Sequence, residues 1–340
     1  MRFEAVTIKD IAKALGLSTS TVSRALRDSY EISEETKKVV LEYAQKINYR
    51  PNPIALGLKE RRTRSIGVVV CEIANSFFSQ AINGMESVAY SKGYNVMISQ
   101  SHESVEREMF DLQYLASRSI DGLIISVSTE TKDFAFLHDL RRRGMPIVFY
   151  DRVVDEIDTH KVVVDNVQSS FDATRHLIKK GHRRIAHIAN AVNLSISKDR
   201  VQGYLKALTS FGIAPDERLI KYCAHGGLIQ DEVEDVMNQL YKLKEKPTAI
   251  FAAADKLTTG VLKYLHTKKK KVPKDMALVG FSNSDLTEML NPPLTVVRQP
   301  AFEMGQQAMQ LLLEMVESKR PITEFKTVKL NAELISRESV

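Results

Sequence analysis

Residues 7–26, which read TIKDIAKALGLSTSTVSRAL, determine how the N-terminal region of this chain folds. Apolar side chains recur at helical spacing in the first half of this stretch and predict a helix with one apolar face: Ile8, Ile11, Ala12 and Leu15. Thr7 is placed to cap this helix with Asp10 as its partner, and Gly16 ends it because glycine tolerates the left-handed conformation of a tight turn. Ser18 then caps a second predicted helix over residues 19–26.

A third helix is predicted from the cap Ser33 to the residues before Pro51, since the position preceding a proline disfavours helix. Three short helices with a glycine turn between the first two are typical of the helix-turn-helix fold. In that fold the first residues of the second helix meet base edges in the major groove. Here these residues are Thr19, Ser20 and Arg24. Small hydroxyl side chains permit close approach, and an arginine can read guanine with two hydrogen bonds.

Positive charge is concentrated at the same end of the chain. Residues 1–64 hold 13 Lys and Arg against 8 Asp and Glu, whereas the remaining residues hold 35 against 34. A basic segment on a near-neutral body indicates that one end of the molecule meets a polyanion. Double-stranded DNA is therefore the predicted partner of the N-terminal region.

Three motifs make this region resemble the LacI/GalR family of bacterial transcription regulators: TIKDIA at residues 7–12, GLSTSTVSR at 16–24 and NYRPN at 48–52. Later segments agree with this likeness to the end of the chain. The predicted DNA contacts in the head are Thr7, Ser18, Thr19, Ser20, Thr21, Ser23 and Arg24. One head buries too little surface for tight specific binding, so we expect a homodimer on a pseudo-palindromic operator.

The resemblance also implies a hinge over residues 52–59, which in the family becomes helical only on operator DNA and inserts a leucine into the minor groove. The positions that match its DNA and dyad contacts are Asn52, Ala55, Leu58 and Lys59. This chain departs from the family pattern at Leu56 and Gly57, and a glycine inside a helix costs about 1 kcal/mol relative to alanine. The remaining alternative for this segment is a plain basic linker.

After residue 64 the pattern changes to apolar strands that alternate with helical stretches. Strands are predicted at residues 66–70, 95–99, 122–126, 146–150, 162–165, 185–189, 249–253, 277–281 and 295–298, with a last strand at 325–330. Strands this apolar, separated by helices, favour parallel sheets that are covered on both faces. So many strands indicate an α/β body of two subdomains with a cleft between them. The resemblance implies a periplasmic-binding-protein-like (type I) body in which the chain crosses three times between the subdomains.

Ligands of open α/β sheets bind beyond the carboxyl ends of the strands. The candidates at these positions, with Arg200 at the start of a helix, are Asn75, Phe77, Phe78, Asp151, Arg152, Arg200 and Asp255. By motif position, Phe78, Arg200 and Asp255 match effector contacts in relatives. Charged side chains suit a hydroxylated ligand and aromatic ones suit a sugar ring or a base. The alternatives are that Phe77 or Phe78 belongs to the core, and that Asp151 only pairs with Arg152.

Several classes of function are disfavoured. No glycine-rich phosphate loop or Walker lysine motif is present, and the 8 histidines show no metal-ligand spacing, so neither catalytic residues nor a cofactor or metal site is predicted. Cys71 and Cys223 are far apart in apolar surroundings and favour two buried thiols in a reducing compartment. With no signal-peptide pattern and no apolar run of membrane length, a cytoplasmic location is expected.

The sequence thus predicts a helix-turn-helix domain at residues 1–50, a hinge and linker at 51–64, and an effector-binding and dimerisation domain at 65–340. The favoured function is a repressor whose operator affinity is set by a small molecule in the cleft, with a sugar or sugar derivative expected. A nucleobase sensor or an activator with the same fold is the alternative. A solute-binding protein and an α/β enzyme with a DNA-binding head are disfavoured by the helical head and the missing catalytic motifs.

Overall fold

A computed structural model describes residues 6–49 and 62–340. The chain divides into two compact units, Met1–Arg64 and Ser65–Val340, called here the head and the body. No helix in the described part of the chain is long and apolar enough to cross a membrane.

The head contains the three predicted helices, α1 (Ile8–Leu15), α2 (Thr19–Ala25) and α3 (Glu34–Lys46). Each helix begins as the sequence predicts. The Asp10 carboxylate accepts hydrogen bonds from the N–H and hydroxyl of Thr7, and the Ser18 hydroxyl accepts from the N–H of Thr21 at 3.0 Å. Gly16 adopts φ 64°, so the predicted left-handed turn is confirmed. The helices enclose a small core of Ile11, Ala12, Val22, Ala25, Val40 and Ala44.

The body alternates strands and helices in the predicted order. Its helices are α4 (Ser76–Ser91), α5 (Val105–Ser117), α6 (Ala135–Arg142), α7 (Asn166–Lys179), α8 (Ser195–Ser210), α9 (Gln230–Lys242), α10 (Asp255–Thr267) and α11 (Ala301–Glu317). Its strands are β1 (Ser65–Val70), β2 (Asn95–Gln100), β3 (Gly122–Ile125), β4 (Ile147–Tyr150), β5 (His160–Val164), β6 (Ile185–Ala189), β7 (Ile220–Tyr222), β8 (Ala249–Ala252), β9 (Ala277–Phe281), β10 (Thr295–Arg298), β11 (Thr327–Leu330) and β12 (Glu333–Ile335).

The described strands form two six-stranded sheets, one for each subdomain. Sheet A has the order β11-β5-β4-β3-β1-β2 and sheet B the order β12-β10-β9-β8-β6-β7. The chain passes from sheet A to sheet B after β5, returns between β10 and α11, and crosses again between β11 and β12. These are the three crossings that the family resemblance implied.

Two short strands were missed by the sequence prediction. Residues 325–330 were expected to hold the last strand, but β12 follows β11 and pairs antiparallel with β10. β7 was not predicted at all. Both are three residues long, lie at the edge of sheet B and contain no fully buried residue, so neither has the apolar run that marks the central strands.

Helix α11, which follows the second crossing, packs closely against α4 of the sheet A subdomain. A Cβ atom on Gly84 would lie 2.0 Å from the carbonyl oxygen of Phe302, and one on Gly305 would lie 2.0 Å from that of Ala81. The two helix backbones therefore touch where only glycine fits. This contact fixes α11 on sheet A although α11 follows a strand of sheet B.

Candidate functional site

The exposed start of α2 carries the predicted base contacts of the head. Thr19, Ser20 and Arg24 are exposed, as are Thr7 and Ser18, whereas Thr21 and Ser23 are half-buried. The Ser18 hydroxyl is hydrogen-bonded to the hydroxyls of Ser20 at 2.7 Å and Thr21 at 2.8 Å. This hydroxyl cluster gives the helix a small polar tip.

Arg24, the predicted guanine reader, has a partner within the head. Its side chain is 52% exposed, and one guanidinium nitrogen lies 3.0 Å from a carboxylate oxygen of Glu31. The neighbouring Arg27 instead donates to the Ser23 carbonyl at 2.9 Å and to the Ser23 hydroxyl. A base contact by Arg24 would have to replace this exposed ion pair, and such pairs contribute about 0–1 kcal/mol. The hinge candidates Asn52, Ala55, Leu58 and Lys59 lie outside the described residues.

The body brings all seven predicted ligand residues to one cavity between the two sheets. This cleft cavity has a volume of about 50 Å³. Its lining is Asn75, Phe77, Phe78, Asp151, Arg152, Asn190, Ile196, Arg200, Ala254, Asp255, Phe281, Ser282, Asn283 and Gln299. Most of these residues lie just after a strand of sheet A or sheet B, or at the start of the helix that comes next. The carboxyl ends of the two sheets therefore meet here, as the sequence predicted.

Arg200 is held rigidly in the wall of the cleft. Its Nε donates to the Asn166 side-chain oxygen at 2.8 Å, one terminal nitrogen donates to the Ala253 carbonyl, and the guanidinium lies 3.8 Å from the centre of the Phe281 ring. Burial lowers the pKa of Arg200 to about 10, and the nearby Asp151 carboxylate opposes this shift. Arg200 is thus a fixed, charged hydrogen-bond donor at the cavity.

Asp151 follows β4 in a left-handed backbone conformation with φ 58°. Such a conformation is uncommon outside glycine and, within this fold, directs the residue immediately after the strand into the cleft. Burial raises the pKa of Asp151, with the Arg200 and Arg152 guanidinium groups opposing the rise. Its carboxylate is therefore poorly solvated and gains most from new hydrogen-bond donors.

Arg152 is engaged elsewhere, which corrects the alternative that Asp151 only pairs with Arg152. Its two terminal nitrogens donate to the two carboxylate oxygens of Glu103 at 2.6 Å and 2.8 Å, and one of them also reaches the Cys71 thiol at 3.1 Å. Burial alone would raise the pKa of Glu103, but Arg152 and the N–H of Thr129 together hold it below its usual value. Arg152 lines the cavity with its guanidinium already bound to a carboxylate.

The second acidic group of the cleft, Asp255, lies in the subdomain of sheet B. Asp255 is the first residue of α10, where the helix dipole favours a negative charge. The Ser282 hydroxyl donates to its carboxylate. Burial raises the pKa of Asp255, and the Ser282 hydrogen bond opposes the rise.

The aromatic pair lies in the core and at the cleft at the same time. Phe77 and Phe78 are buried in the core of sheet A and also line the cleft. Their ring centres are 5.2 Å apart at 74°, and Phe78 meets Tyr150 edge to face at 6.3 Å. These rings form an apolar wall of the cleft, and they are packed edge to face rather than stacked in parallel.

Sequence reasoning missed several polar residues of the cleft, notably Asn190, Ser282, Asn283 and Gln299. Asn190 follows β6, Ser282 follows β9 and Gln299 follows β10. The rule that found Asp151 and Asp255 therefore applied to these strands too. The buried Asn190 Oδ1 has no hydrogen-bond partner among the described residues, so it can serve a ligand, whereas the Gln299 side chain hydrogen-bonds to the Asp151 carboxylate.

Three polar contacts join the subdomains around the cavity. Lys256 lies 3.1 Å from Glu72, and the side chains of Gln80 and Asn283 are joined by a 2.8 Å hydrogen bond. Asn193 donates to the carbonyl of Thr129 at 3.0 Å, and the N–H of that threonine donates to Glu103. Small-molecule pockets are about 300–1,000 Å³. A cavity of about 50 Å³ must therefore widen, and these contacts must yield, for a ligand of that class to enter.

Both units match known families. Residues 7–52 match the family described as bacterial regulatory proteins, lacI family, and residues 174–340 match a periplasmic binding protein-like domain. The chain is 34% identical to the HTH-type transcriptional repressor CytR of Escherichia coli K12, over 93% of this chain and 91% of CytR.

Solved structures agree with these matches. The chain resembles a transcriptional regulator CelR–cellobiose complex with a TM-score of 0.69 and 28% identity, covering 98% of this chain and all of that one. The lac repressor dimer bound to operator and the anti-inducer ONPF has the same fold, with a TM-score of 0.80, 23% identity and 99% of each chain covered.

The Glu103–Arg152 pair yields the first testable prediction. Glu103→Gln leaves a buried guanidinium without its counter-charge and should lower the free energy of unfolding by about 3–5 kcal/mol at pH 7. The pKa of Glu103 is lower in the folded chain than its ordinary 4.5. The stabilisation is therefore complete above pH 4.5 and is lost as the pH falls through the folded pKa.

Urea denaturation of wild type and variant at pH 7 and at pH 4 or below measures this effect. The difference between the two proteins should be largest at pH 7 and should shrink under acid conditions. Glu106→Gln, which changes an exposed residue three positions further along the chain, should stay within about 0.5 kcal/mol of wild type. If the difference in unfolding free energy between wild type and Glu103→Gln stayed constant down to pH 3, the ion pair of Glu103 with Arg152 would not be its cause.

Proposed function

The chain belongs to the LacI family of DNA-binding transcriptional repressors, and from this premise we propose that a small, uncharged, hydroxylated ligand in the cleft sets its affinity for an operator. The observation that carries the proposal is the convergence of Asp151, Arg200 and Asp255 from two sheets on one cavity. A ligand that bridges such groups binds one arrangement of the subdomains better than others, and it can shift an equilibrium only through that difference.

Operator recognition is assigned to the exposed start of α2. Thr19 and Ser20 have short side chains, so the helix can approach base edges closely, and Arg24 can exchange Glu31 for a guanine. The remaining hydroxyl residues and Thr7 are assigned to phosphate and sugar contacts, which position the helix and carry no sequence information themselves.

The charges of the cleft favour a neutral ligand. Arg152 is neutralised by Glu103, which leaves Arg200 against the two carboxylates of Asp151 and Asp255. A phosphate would meet repulsion from both carboxylates, whereas ligand hydroxyls can donate to them and relieve the cost of their burial. Asn190 adds one acceptor that matches a further hydroxyl group.

The aromatic geometry favours a sugar over a nucleobase. One face of Phe281 is occupied by the Arg200 guanidinium, and Phe78 is fixed edge to face between Phe77 and Tyr150. A flat base needs a free ring face on which to stack, while a sugar ring needs mainly hydroxyl partners and an apolar edge. The similarity to the CelR–cellobiose complex supports the same class.

Coupling to DNA is assigned to the hinge, which connects to the body at Ser65. We propose that Leu58 enters the minor groove at the operator dyad when two hinges pair, with Asn52, Ala55 and Lys59 at its supporting contacts. Ser65 begins β1, and Asn75, which follows the other end of that strand, lines the cleft, so a ligand that fixes the subdomains also fixes where the hinge starts. A coupling free energy of about 1–3 kcal/mol changes operator affinity roughly 5–150-fold.

A homodimer is proposed from the exposed apolar surface beside sheet A. The edge strand β2 exposes Ile98. The helix that follows it, α5, exposes Phe110 at 68% of its surface and Tyr114 at 42%. Contiguous exposed apolar residues mark association surfaces in soluble proteins. A second copy of the chain is the partner that a two-fold operator requires.

Arg24→Ala tests base readout. Because an arginine–guanine pair contributes about 1–3 kcal/mol of discrimination, the variant should bind a palindromic site selected from random DNA roughly 5–150-fold more weakly and bind random DNA almost unchanged. Gel shifts at fixed salt measure both affinities. Arg27→Ala is the matched control, since that side chain is bound to Ser23. Equal losses on both DNAs in Arg24→Ala would mean that Arg24 contacts only phosphate.

A paired ligand panel tests the effector class. Cellobiose, ribose and adenosine, each compared with a phosphorylated counterpart, are screened for a rise in the melting temperature of the full chain. We expect a neutral sugar to raise it and its phosphate not to. Asp255→Asn should lower the affinity for that sugar by about tenfold or more, because a hydrogen bond to a charged group is lost.

The exposed Asp285→Asn serves as the control for this panel. Tighter binding of the phosphorylated form would refute the charge argument. Unchanged affinity in Asp255→Asn would remove Asp255 from the site.

The double variant Phe110→Lys, Tyr114→Lys tests the dimer surface. Sedimentation equilibrium should find wild type dimeric at micromolar concentration and the double variant monomeric, because buried apolar contact is replaced by like charges. Phe211→Lys changes an exposed aromatic residue of the other subdomain and should remain dimeric. A monomeric wild type, or a double variant that stays dimeric, would overturn this assignment.

A further inference from the structure

A second cavity lies at the opposite end of sheet A from the cleft. It is formed by the loop at residues 144–146, the segment at residues 318–322, and the side chains of Arg141, Met315 and Phe325. We call it the edge cavity. Residue 146 directly precedes β4 and residue 325 precedes β11, so the cavity sits at the amino ends of these strands. Its volume is about 480 Å³, within the range of small-molecule pockets and far larger than the cleft cavity.

The floor of the edge cavity is apolar. Met145, Met315, Ile322 and two prolines contribute to it, and Phe325 forms one wall. The Phe325 ring is fixed on two sides, by the Arg141 guanidinium 5.5 Å from its centre and by the His160 ring edge to face at 5.5 Å. Flexible methionines beside a fixed aromatic ring suit an apolar ligand body of variable shape.

The rim of the edge cavity is cationic. It carries Arg141, Lys319 and Arg320, and no carboxylate lines the cavity. None of these three has an ion pair with any residue that the structure describes, whereas the adjacent Arg142 and Arg143 both pair with Asp139.

The loop that holds Arg320 is fixed by its own hydrogen bonds. The Ser318 hydroxyl donates to the Arg320 carbonyl at 2.6 Å and accepts from its N–H at 3.2 Å. Uncompensated cations around an apolar floor attract an anion that carries an apolar body.

We propose that the edge cavity is a second small-molecule site, which binds an organic anion with an apolar body. Its chemistry is the reverse of the cleft, where two carboxylates disfavour anions. The position gives such a ligand a route to the hinge. The carbonyl of Pro146 accepts from the N–H of Leu123 at 2.9 Å, and the N–H of Asp121 donates to the carbonyl of Ser65 at 2.8 Å. One loop and the start of β3 thus separate the cavity from the residue where the hinge joins the body.

Anilinonaphthalene sulfonate, an apolar anion whose fluorescence rises in apolar surroundings, is a direct probe. Phenylnaphthylamine, which has a similar aromatic body and no charge, is the comparison. Titration of the full chain with each probe gives the affinities. The double variant Arg141→Gln, Arg320→Gln should bind the sulfonate at least about tenfold more weakly, while its affinity for the uncharged probe stays as in wild type.

The matched control is Arg142→Gln, Arg143→Gln, which removes the same net charge at the end of the helix that carries Arg141 but leaves the rim intact. Its affinity for the sulfonate should stay within about twofold of wild type. Unchanged sulfonate binding in the cavity variant would overturn the proposal, because the probe would then bind elsewhere. An equal loss in the control variant would also overturn it, because net charge alone would explain the binding.

Discussion

Parallel strands place all their carboxyl ends at one edge of a sheet, and in this body two such edges share a cavity. The loops at those edges have no ladder partners of their own, so their side chains are free to serve a ligand. Three crossings hold the two sheets beside each other without merging them. The cleft, its polar lining and the separation of ligand from hinge all depend on this strand direction.

Buried charges determine which ligand chemistry suits the cleft. Arg152 and Glu103 form a buried ion pair with two hydrogen bonds. Removing either side chain lowers the free energy of unfolding, because the other charge stays buried without a partner. That pair also holds Thr129, whose carbonyl reaches Asn193 of the other subdomain. Arg152 is therefore linked, through Glu103 and Thr129, to a contact between the two subdomains. The carboxylates of Asp151 and Asp255 have no ion pair of this kind, so they are the groups that a ligand of the proposed class would satisfy.

Much of this could be predicted from the sequence, because apolar runs mark central strands and polar residues just beyond them mark the cleft. Asp151 and Asp255 were found in this way. Arg200 was found at the start of a helix and by its motif position, and the helix starts at Ser18 and Ser33 were found from their capping hydroxyls. The pairing of Arg152 with Glu103 could not be found, since Glu103 lies in a loop far away in sequence and no periodicity links the two. The edge cavity was equally hidden, because loops and a helix end form it rather than strand ends.

The two ends of sheet A explain how distant sites can communicate without a deformable core. The strands between them are buried and closely packed, and packed interiors shift between discrete arrangements rather than bending continuously. A ligand in the cleft, as proposed, would therefore move the subdomains as rigid bodies, and the amino end of β1 would move with sheet A. A ligand at the edge cavity acts on the same end of that sheet directly, through the loop before β4 and the start of β3. Both sites would thus bias the position of Ser65, one through rotation of the subdomains and the other through the hydrogen bonds at the sheet edge.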